Sequence, residues 1–458
     1  MMPLTFDDAL GVLNAKPPEK RNGPADVVVS TDTRTLRSGD TFLALRGERF
    51  DGHQFVNSAL QRGAAALIVE EPPHEWPAVP VLIVDDTLKA YMALASAARS
   101  KLNATVIAIT GSTGKTTTKA FLGQLLRNEL GERLTISPAN ENNEIGVSKL
   151  FLNAPSDART IVVEMGARHY GDIAALVDVA RPQIGVLTNV REAHLEIMQT
   201  PERLAETKWA LFSSGARAVL NARDHVSLQR ASTLQSEPRW FGLGPPALPK
   251  IHVGERGVFL SRDELRILES DREGSYAVDV RVPGDHNVEN LSAAVAAALE
   301  AGLDAVKIAP QLSRITLPAG RYETICIPNR PRIIFDAYNA SASGTIATLN
   351  AFAQEPARRR IAVLGSMAEL GAAAVELHRK VGAHAATLGI DYLLVGGENG
   401  DDVLRGARDA GFSSDRIITF ERNAEAAQWI AGHTAADDIV LIKGSRRYKL
   451  EEIVEELR

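Results

Sequence analysis

The apolar run Val106-Ile107-Ala108-Ile109-Thr110 leads directly into Gly111-Ser112-Thr113-Gly114-Lys115-Thr116-Thr117, and a helical pattern begins at Thr116. No other stretch limits the fold so strongly. A β-branched run of this kind reads as a strand buried on both faces, and two glycines let the chain turn sharply into the helix. Strand, tight turn and helix in that order belong to a mostly parallel α/β sheet, with the turn at the carboxyl edge of the strand. The chemistry follows from the same geometry. Glycines bring backbone N–H groups close to an anion, and the helix N-terminus adds partial positive charge. Lys115 can hold the outer phosphates of a nucleoside triphosphate, and the Thr116 hydroxyl can ligate Mg2+. The candidate nucleotide contacts are therefore Gly111, Ser112, Thr113, Gly114, Lys115, Thr116 and Thr117. Ile109 stands where longer phosphate loops carry another glycine, so this is a short variant. A chance glycine-rich turn is the bland alternative, and the combination of strand, Gly-Lys-Thr and helix weighs against it.

A chain of 458 residues implies about three domains. Residues 1–98 hold short β-rich runs (Val27–Ser30, Thr41–Leu45, Ala65–Val69, Val81–Val84) separated by turn signals and a proline-rich stretch from Pro72 to Pro80. Residues 99–317 add buried-type strands at Thr160–Glu164, Ile184–Thr188 and Ala218–Asn221, with helical patterns between them. Residues 318–458 repeat that alternation, with strands at Ile361–Leu364, Tyr392–Val395, Ile417–Thr419 and Ile439–Ile442 and a helix over Val375–Leu388. This last block reads as a second, Rossmann-like α/β unit. The fold class is α/β throughout.

Composition removes several classes of function. A formal net charge of -6 argues against nucleic-acid binding driven by overall charge. The single cysteine, Cys326, rules out an intramolecular disulfide and thiolate metal clusters. The start of the chain lacks a basic segment followed by a long apolar one, and no run of about 18 apolar residues occurs, so neither a secretory signal nor membrane insertion is expected. These features describe a soluble intracellular protein.

Two further residues lie at the carboxyl ends of predicted strands, on the same rim as the phosphate loop. Glu164 ends Ile161-Val162-Val163-Glu164, and His194 follows Thr188-Asn189 closely. Ligands of open α/β sheets bind at that rim, and a carboxylate with an imidazole there can hold a second Mg2+ beside the nucleotide. Taken singly, each is more often a solvated strand end or an ordinary histidine; the shared rim favours the functional reading. Lys208 lies on a helix expected to open at an N-capping Thr200 with Pro201 in its first position. A lone helical lysine is usually a surface group.

These motifs and their flanks together resemble the Mur ligase family over nearly the whole chain. The matching segments are Ser30-Thr31-Asp32-Thr33-Arg34, Asp51-Gly52-His53, Asn142-Asn143-Glu144-Ile145-Gly146, Glu164-Met165-Gly166-Ala167, Gly284-Asp285-His286-Asn287 with Asn290, Asp336-Ala337-Tyr338-Asn339-Ala340, Met367-Ala368-Glu369-Leu370-Gly371 and Lys443-Gly444-Ser445-Arg446. The resemblance implies an N-terminal domain that binds a UDP-linked substrate, a central P-loop ATPase domain and a C-terminal Rossmann-like ligase domain. It implies ATP and two Mg2+ ions, with Thr116, Glu164, His194 and a carbamylated Lys208 on the metal side. Asn287, Asn290, Arg321 and Asp336 are expected at the nucleotide, and Lys115, Lys208, His286 and Arg321 at the reacting groups. Substrate contacts are expected from Ser30, Asp32, Arg34, Asp51, His53, Asn142, Asn143, Tyr338, Asn339, Lys443, Ser445 and Arg446.

Within the family, the Asn142–Gly146 and Asp336–Ala340 segments point to the member that joins D-alanyl-D-alanine to a UDP-N-acetylmuramoyl-tripeptide through an acyl phosphate. That is a step of cytoplasmic peptidoglycan precursor synthesis, and a monomer is implied. Three positions depart from the family pattern: Ser366 stands where Asp is usual, Ala210 where an acidic residue is common, and Ala342 where proline is frequent. The competing readings are a sister ligase using another amine, a catalytically silent nucleotide-binding relative and a P-loop kinase or GTPase. The four groups whose loss would mark a silent relative (Lys115, Glu164, His194, Lys208) are all present, and no guanine-reading Asn-Lys-x-Asp element occurs.

Overall fold

The computed structural model describes residues 4–15, 23–47, 50–139, 141–191, 198, 200–244, 256–270 and 272–458. Among the described residues three larger sheets lie in sequence along the chain, beside two two-stranded ones. The first has four parallel strands in the order Val29–Ser30, Thr41–Leu43, Ala66–Val69, Val81–Ile83. The helix that follows it, Thr87–Lys101, packs on two helices of the central sheet, Glu144–Leu152 and Asp172–Ala180, and shares one apolar core with them. Buried Arg99 fixes that contact, donating to Ala180 O at 2.8 Å and Leu102 O at 3.1 Å. The division expected at residue 98/99 therefore falls inside a helix, because this helix packs across two units.

The central sheet has nine strands, in the spatial order 134–136, 160–164, 105–110, 184–187, 217–221, 239–243, 256–260, 264–269, 272–277. The first seven run parallel, and the last two each pair antiparallel with the strand before them. Along Thr105–Thr110 successive side chains enter opposite cores, Val106 and Ala108 on one face, Ile107 and Ile109 on the other. This explains the uninterrupted apolar run. The helices Lys115–Leu130 and Asp285–Glu300 cover the second face. Register pairs Glu164 with Ile109 and Leu187 with Thr110, so the loops after three neighbouring strands meet at one edge.

The third sheet has six strands in the order Glu323–Ile325, Arg332–Asp336, Ile439–Lys443, Arg360–Gly365, Tyr392–Gly396, Ile417–Phe420. All but the first are parallel. Asp336 and Lys443 are register partners at the carboxyl ends of adjacent strands. The predicted strands are present in all three blocks, and the helix expected over Val375–Leu388 spans Ala374–Ala386. Thr200 caps the helix Pro201–Trp209, accepting from Arg203 N–H at 3.2 Å.

Strands at Arg239–Leu243, Arg256–Leu260, Glu264–Glu269, Arg272–Ala277, Glu323–Ile325 and Arg332–Asp336 were not expected from sequence. They carry charged residues at their ends or alternate polar with apolar, which weakens the apolar-run signal. Among the described residues no helix is long and apolar enough to cross a membrane, and Cys326 is exposed and free.

Candidate active site

The phosphate loop is held from its neighbouring strand end. Ser112 N–H donates to Asn189 O at 2.9 Å, Thr113 N–H to Asn189 Oδ1 at 3.1 Å and Thr188 Oγ1 to Thr113 O at 2.6 Å. Two glycines are required by space as well as by conformation. A Cβ on Gly111 would lie 1.9 Å from Thr188 Oγ1, and one on Gly114, at φ 82°, would lie 2.2 Å from Asn290 Oδ1. The helix Lys115–Leu130 begins after Gly114 without a side-chain cap, so its first N–H groups remain open to an anion.

Two lysines converge on this loop. Lys115 Nζ donates to Gly111 O at 2.7 Å and Lys208 Nζ to the same oxygen at 3.2 Å. Burial lowers the Lys115 pKa; nearby Glu164 opposes that and Arg321 adds to it. Burial also pushes the Lys208 amine well below the usual lysine range, and Lys115 pushes it further. A deeply buried amine of that kind gives up its proton more readily than a solvated one.

Glu164 is buried at the end of its strand. Its Oε1 accepts from Asn142 Nδ2 at 2.9 Å and from Thr116 Oγ1 at 3.2 Å, and Lys119 Nζ lies 3.0 Å from Oε2. Burial alone would raise its pKa. Lys119, Lys115 and the Asn142 donor outweigh that, so the carboxyl sits below the ordinary glutamate value. Oε2 makes no well-directed hydrogen bond. An ionised carboxylate with an under-coordinated oxygen beside the Thr116 hydroxyl is a suitable donor pair for Mg2+. His194 lies outside the described residues. Among the described residues no three His, Cys, Asp or Glu side chains gather into a metal cluster.

The helix Asp285–Glu300 brings the next group. Asn290 packs against Gly114, while Asn287 donates to Pro283 O at 2.9 Å and stays buried. His286, in the first turn, is kept toward its neutral form mainly by burial; Asp336 opposes this and Lys443 reinforces it. Its first turn therefore faces the edge of the third sheet.

From that side Arg321 reaches across, its Nη2 3.5 Å from Thr116 Oγ1 and its guanidinium 4.4 Å from the Tyr338 ring centroid. Arg446 lies 5.5 Å from the centroid of the same ring. Asp336 is buried, accepting from Thr348 Oγ1 at 2.6 Å, and Lys443 Nζ donates to Asp336 O at 3.0 Å and to Asn339 O. Burial lowers the Lys443 pKa and Asp336 partly restores it. Ser445 Oγ accepts from Ala368 N–H at 3.0 Å, and Asn339 Oδ1 from Ala340 N–H at 2.9 Å.

The departures from the family pattern also have places. Ser366 is buried and accepts from Asn399 N–H at 2.9 Å. Ala342 is the first residue of a helix capped by Ser341, a position where proline fits equally well. Ala210 terminates the helix that carries Lys208.

The first-sheet residues are largely engaged with one another. Arg34 forks onto Asp32, lowering that carboxyl to about 2, and Ser30 Oγ donates to Asp32 O at 3.2 Å. Asp51 accepts from His53 Nδ1 at 2.6 Å, and His53 Nε2 accepts from Glu70 N–H at 2.9 Å. Both ring nitrogens of His53 are therefore occupied. Asn143 caps the helix Glu144–Leu152, accepting from Gly146 N–H at 3.0 Å.

Sequence reasoning missed Lys119, Thr188 and Asn189 as builders of the site. Lys119 has a legible signal: it stands four residues after Lys115, on the same helix face one turn on. Thr188 and Asn189 follow the strand next to the phosphate loop, and that adjacency is tertiary.

Residues 109–298 match the family described as Mur ligase middle domain, residues 320–446 that described as Mur ligase, glutamate ligase domain, and residues 27–127 that described as Mur ligase family, catalytic domain. The chain is 35% identical, over 83% of its length and 81% of the relative's, to the UDP-N-acetylmuramoyl-tripeptide–D-alanyl-D-alanine ligase of Synechocystis. Its fold matches a crystal structure of MurF from Acinetobacter baumannii with a TM-score of 0.87 at 27% identity, covering 100% of this chain and 99% of that one. It matches the Thermotoga maritima MurF ligase in complex with ADP with a TM-score of 0.78 at 26% identity, covering 94% and 97%.

Proposed function

The chain belongs to the Mur ligase family, and from that membership we infer an ATP-dependent ligase that joins D-alanyl-D-alanine to a UDP-N-acetylmuramoyl-tripeptide in peptidoglycan precursor synthesis. The observation that carries the reading is Arg321, which enters from the third sheet and meets Thr116 of the phosphate loop at 3.5 Å. A two-substrate ligase needs groups from separate units to converge on one phosphoryl group.

In the first step the terminal carboxylate of the tripeptide attacks the γ-phosphorus of ATP, giving an acyl phosphate and ADP. Such a transfer needs positioning and charge neutralisation rather than covalent help. Lys115, the open N–H groups of its helix and Arg321 are the cations and donors available for it. Thr116, Glu164 and His194 are the residues that would hold Mg2+, which would neutralise charge on the phosphates. Lys208 would act as a carbamate, formed when its neutral amine adds carbon dioxide; its depressed pKa supports that.

In the second step the dipeptide amine attacks the acyl carbon, and the tetrahedral intermediate collapses to an amide and inorganic phosphate. The amine must lose a proton. His286, held toward its neutral form and facing Asp336 and Lys443, is the base this reading assigns. Asn142, Tyr338, Lys443, Ser445 and Arg446 are assigned to the substrates, and Asn287, Asn290 and Asp336 to the nucleotide side. Ser30, Asp32, Arg34, Asp51, His53, Asn143 and Asn339 are assigned to the substrates as well. The reading carries a cytoplasmic location and a monomer, both as the family resemblance implies.

The test is phosphate release with ATP, Mg2+ and the UDP-tripeptide, with and without D-alanyl-D-alanine, followed by the mass of the UDP product. A gain of one dipeptide residue is expected. Release that depends on the tripeptide and ignores the dipeptide would reassign the amine.

A further inference from the structure

The reaction as derived leaves Lys119 unused, although burying an ammonium is costly unless it is paired. Its Nζ donates to Ala139 O at 2.7 Å and lies 3.0 Å from Glu164 Oε2. Besides its bond from Thr116, two contacts of Glu164 return to the same segment of chain. Asn142 Nδ2 donates to its Oε1 at 2.9 Å, and its backbone N–H donates to Ser137 Oγ at 3.0 Å. Gly166, two residues on, donates its N–H to Asn142 O at 2.8 Å, and a Cβ there would lie 2.8 Å from Asn142 Oδ1. Ala139 has φ 21°, outside the usual range of an L-residue, and its carbonyl is the one Lys119 grips.

We propose that Lys119 is a positioning residue that locks the acceptor-side segment carrying Ser137, Ala139 and Asn142 onto Glu164, so that the nucleotide-side carboxylate and the acceptor loop form one unit before either substrate binds. A methionine would fill the volume, but it would hold neither the carboxylate nor the carbonyl. The proposal rests on the assignment of Glu164 to the nucleotide side and Asn142 to the acceptor side. The lock lowers the ordering cost of acceptor binding by organising the loop in advance. It leaves the phosphate loop, clamped separately by Thr188 and Asn189, largely unaffected.

The test compares Lys119→Met and Lys119→Arg with the wild type. Amide hydrogen exchange is measured over residues 134–146 without nucleotide or metal, and steady-state constants are measured with both. For Lys119→Met, exchange in that segment and the KM for the UDP-tripeptide are each expected to rise about tenfold or more, while the KM for ATP stays within about twofold. Lys119→Arg, which keeps the cation, is expected to retain the protection. Unchanged exchange in Lys119→Met, or a joint rise of both KM values, would overturn the proposal. If Lys119→Met does not fold, Lys119→Gln, which keeps a donor for Ala139 without the charge, carries the same two expectations. A wild type with no ligase turnover would count against the functional reading, and the exchange measurement would still decide the lock.

Discussion

Lys115 and Lys208 rest their side-chain nitrogens on one acceptor, the carbonyl oxygen of Gly111, at 2.7 and 3.2 Å. One comes from the phosphate-loop helix and the other from a helix far along the chain. Two buried lysine nitrogens around a single carbonyl, each disfavoured as an ammonium by burial, leave a dry place poor in negative charge. An anion arriving there, whether a phosphate or a carbamate on Lys208, pairs with the remaining donors, so the site is built to be completed by negative charge.

Lys115→Ala is expected to lower kcat for ligation by about 10²–10³-fold, the usual cost of removing one preorganised donor from a developing anion. Its melting temperature should be equal or higher, since the substitution deletes a poorly solvated ammonium. Phosphate release and a thermal melt check the two halves. Normal turnover would remove the phosphate loop from the mechanism.

Lys208 gives a pH signature. Its folded pKa lies well below the lysine value of about 10.4 expected in the unfolded chain. Below the unfolded value the folded state therefore holds this proton less firmly than the unfolded state does, and this residue, unmodified, works against folding; the effect fades as pH rises toward that value. Lys208→Met should melt above the wild type at neutral pH in buffer free of carbon dioxide, and the gap should close toward pH 10. Bicarbonate should raise wild-type activity and leave the variant unchanged. A gap independent of pH would remove buried charge as its cause.

Arg321→Ala is expected to lower kcat by about 10³-fold, as for other arginines supplied to a transferring phosphoryl group from a separate element. Arg321→Lys should recover little, because an ammonium lacks the planar fork that can stack on Tyr338 and still reach Thr116. Steady-state kinetics decide this, and a loss of less than tenfold would place Arg321 outside the transition state.

Gly114→Ala should destabilise the protein by about 1–2 kcal/mol from its left-handed φ alone, with more from the contact with Asn290. Asn290→Ala vacates that space, so the double variant should lose less than the sum of the two single losses. Denaturant unfolding of the three variants tests the coupling; simple additivity would show that Asn290 does not press on the loop.

Asp438 tests the third sheet independently of activity. Its buried carboxylate accepts from Arg358 at 3.0 Å and Arg359 at 2.7 Å. Burial opposes ionisation, and Arg359 and Arg358 outweigh it and hold the pKa well below the ordinary aspartate value. The folded value lies under the unfolded one of about 3.9, so the stabilisation is full above that pH and is lost as pH falls through the folded value. Asp438→Asn should cost about 3 kcal/mol at neutral pH, the low end for a broken buried pair because Arg358 stays half in water. The difference from wild type should shrink as the pH drops below about 4; a constant difference would point to packing.

The local order of the site could be read in the chain because it rests on short-range rules. The Gly111–Thr117 turn, the Thr200–Pro201 helix start and the runs that became Thr160–Glu164 and Ile184–Leu187 each satisfy constraints that act within a few residues. The carboxyl-edge rule then put Glu164 beside the phosphate loop. His53 was legible as a motif residue beside its partner Asp51, but its contact with Glu70 N–H was not, because Glu70 comes from another element.

The sequence alone determined that there is a phosphate loop, a parallel sheet to carry it and a family to which both belong, since periodicity, glycine placement and residue type are encoded locally. Tertiary structure decided which distant groups meet there. Lys208 reaches Gly111, Arg321 reaches Thr116, and Lys119 reaches Ala139 only because strand order and helix packing bring together segments that no short-range rule relates. The pKa values of those groups were decided at the same level, because desolvation depends on everything packed around a side chain and not on its neighbours in sequence.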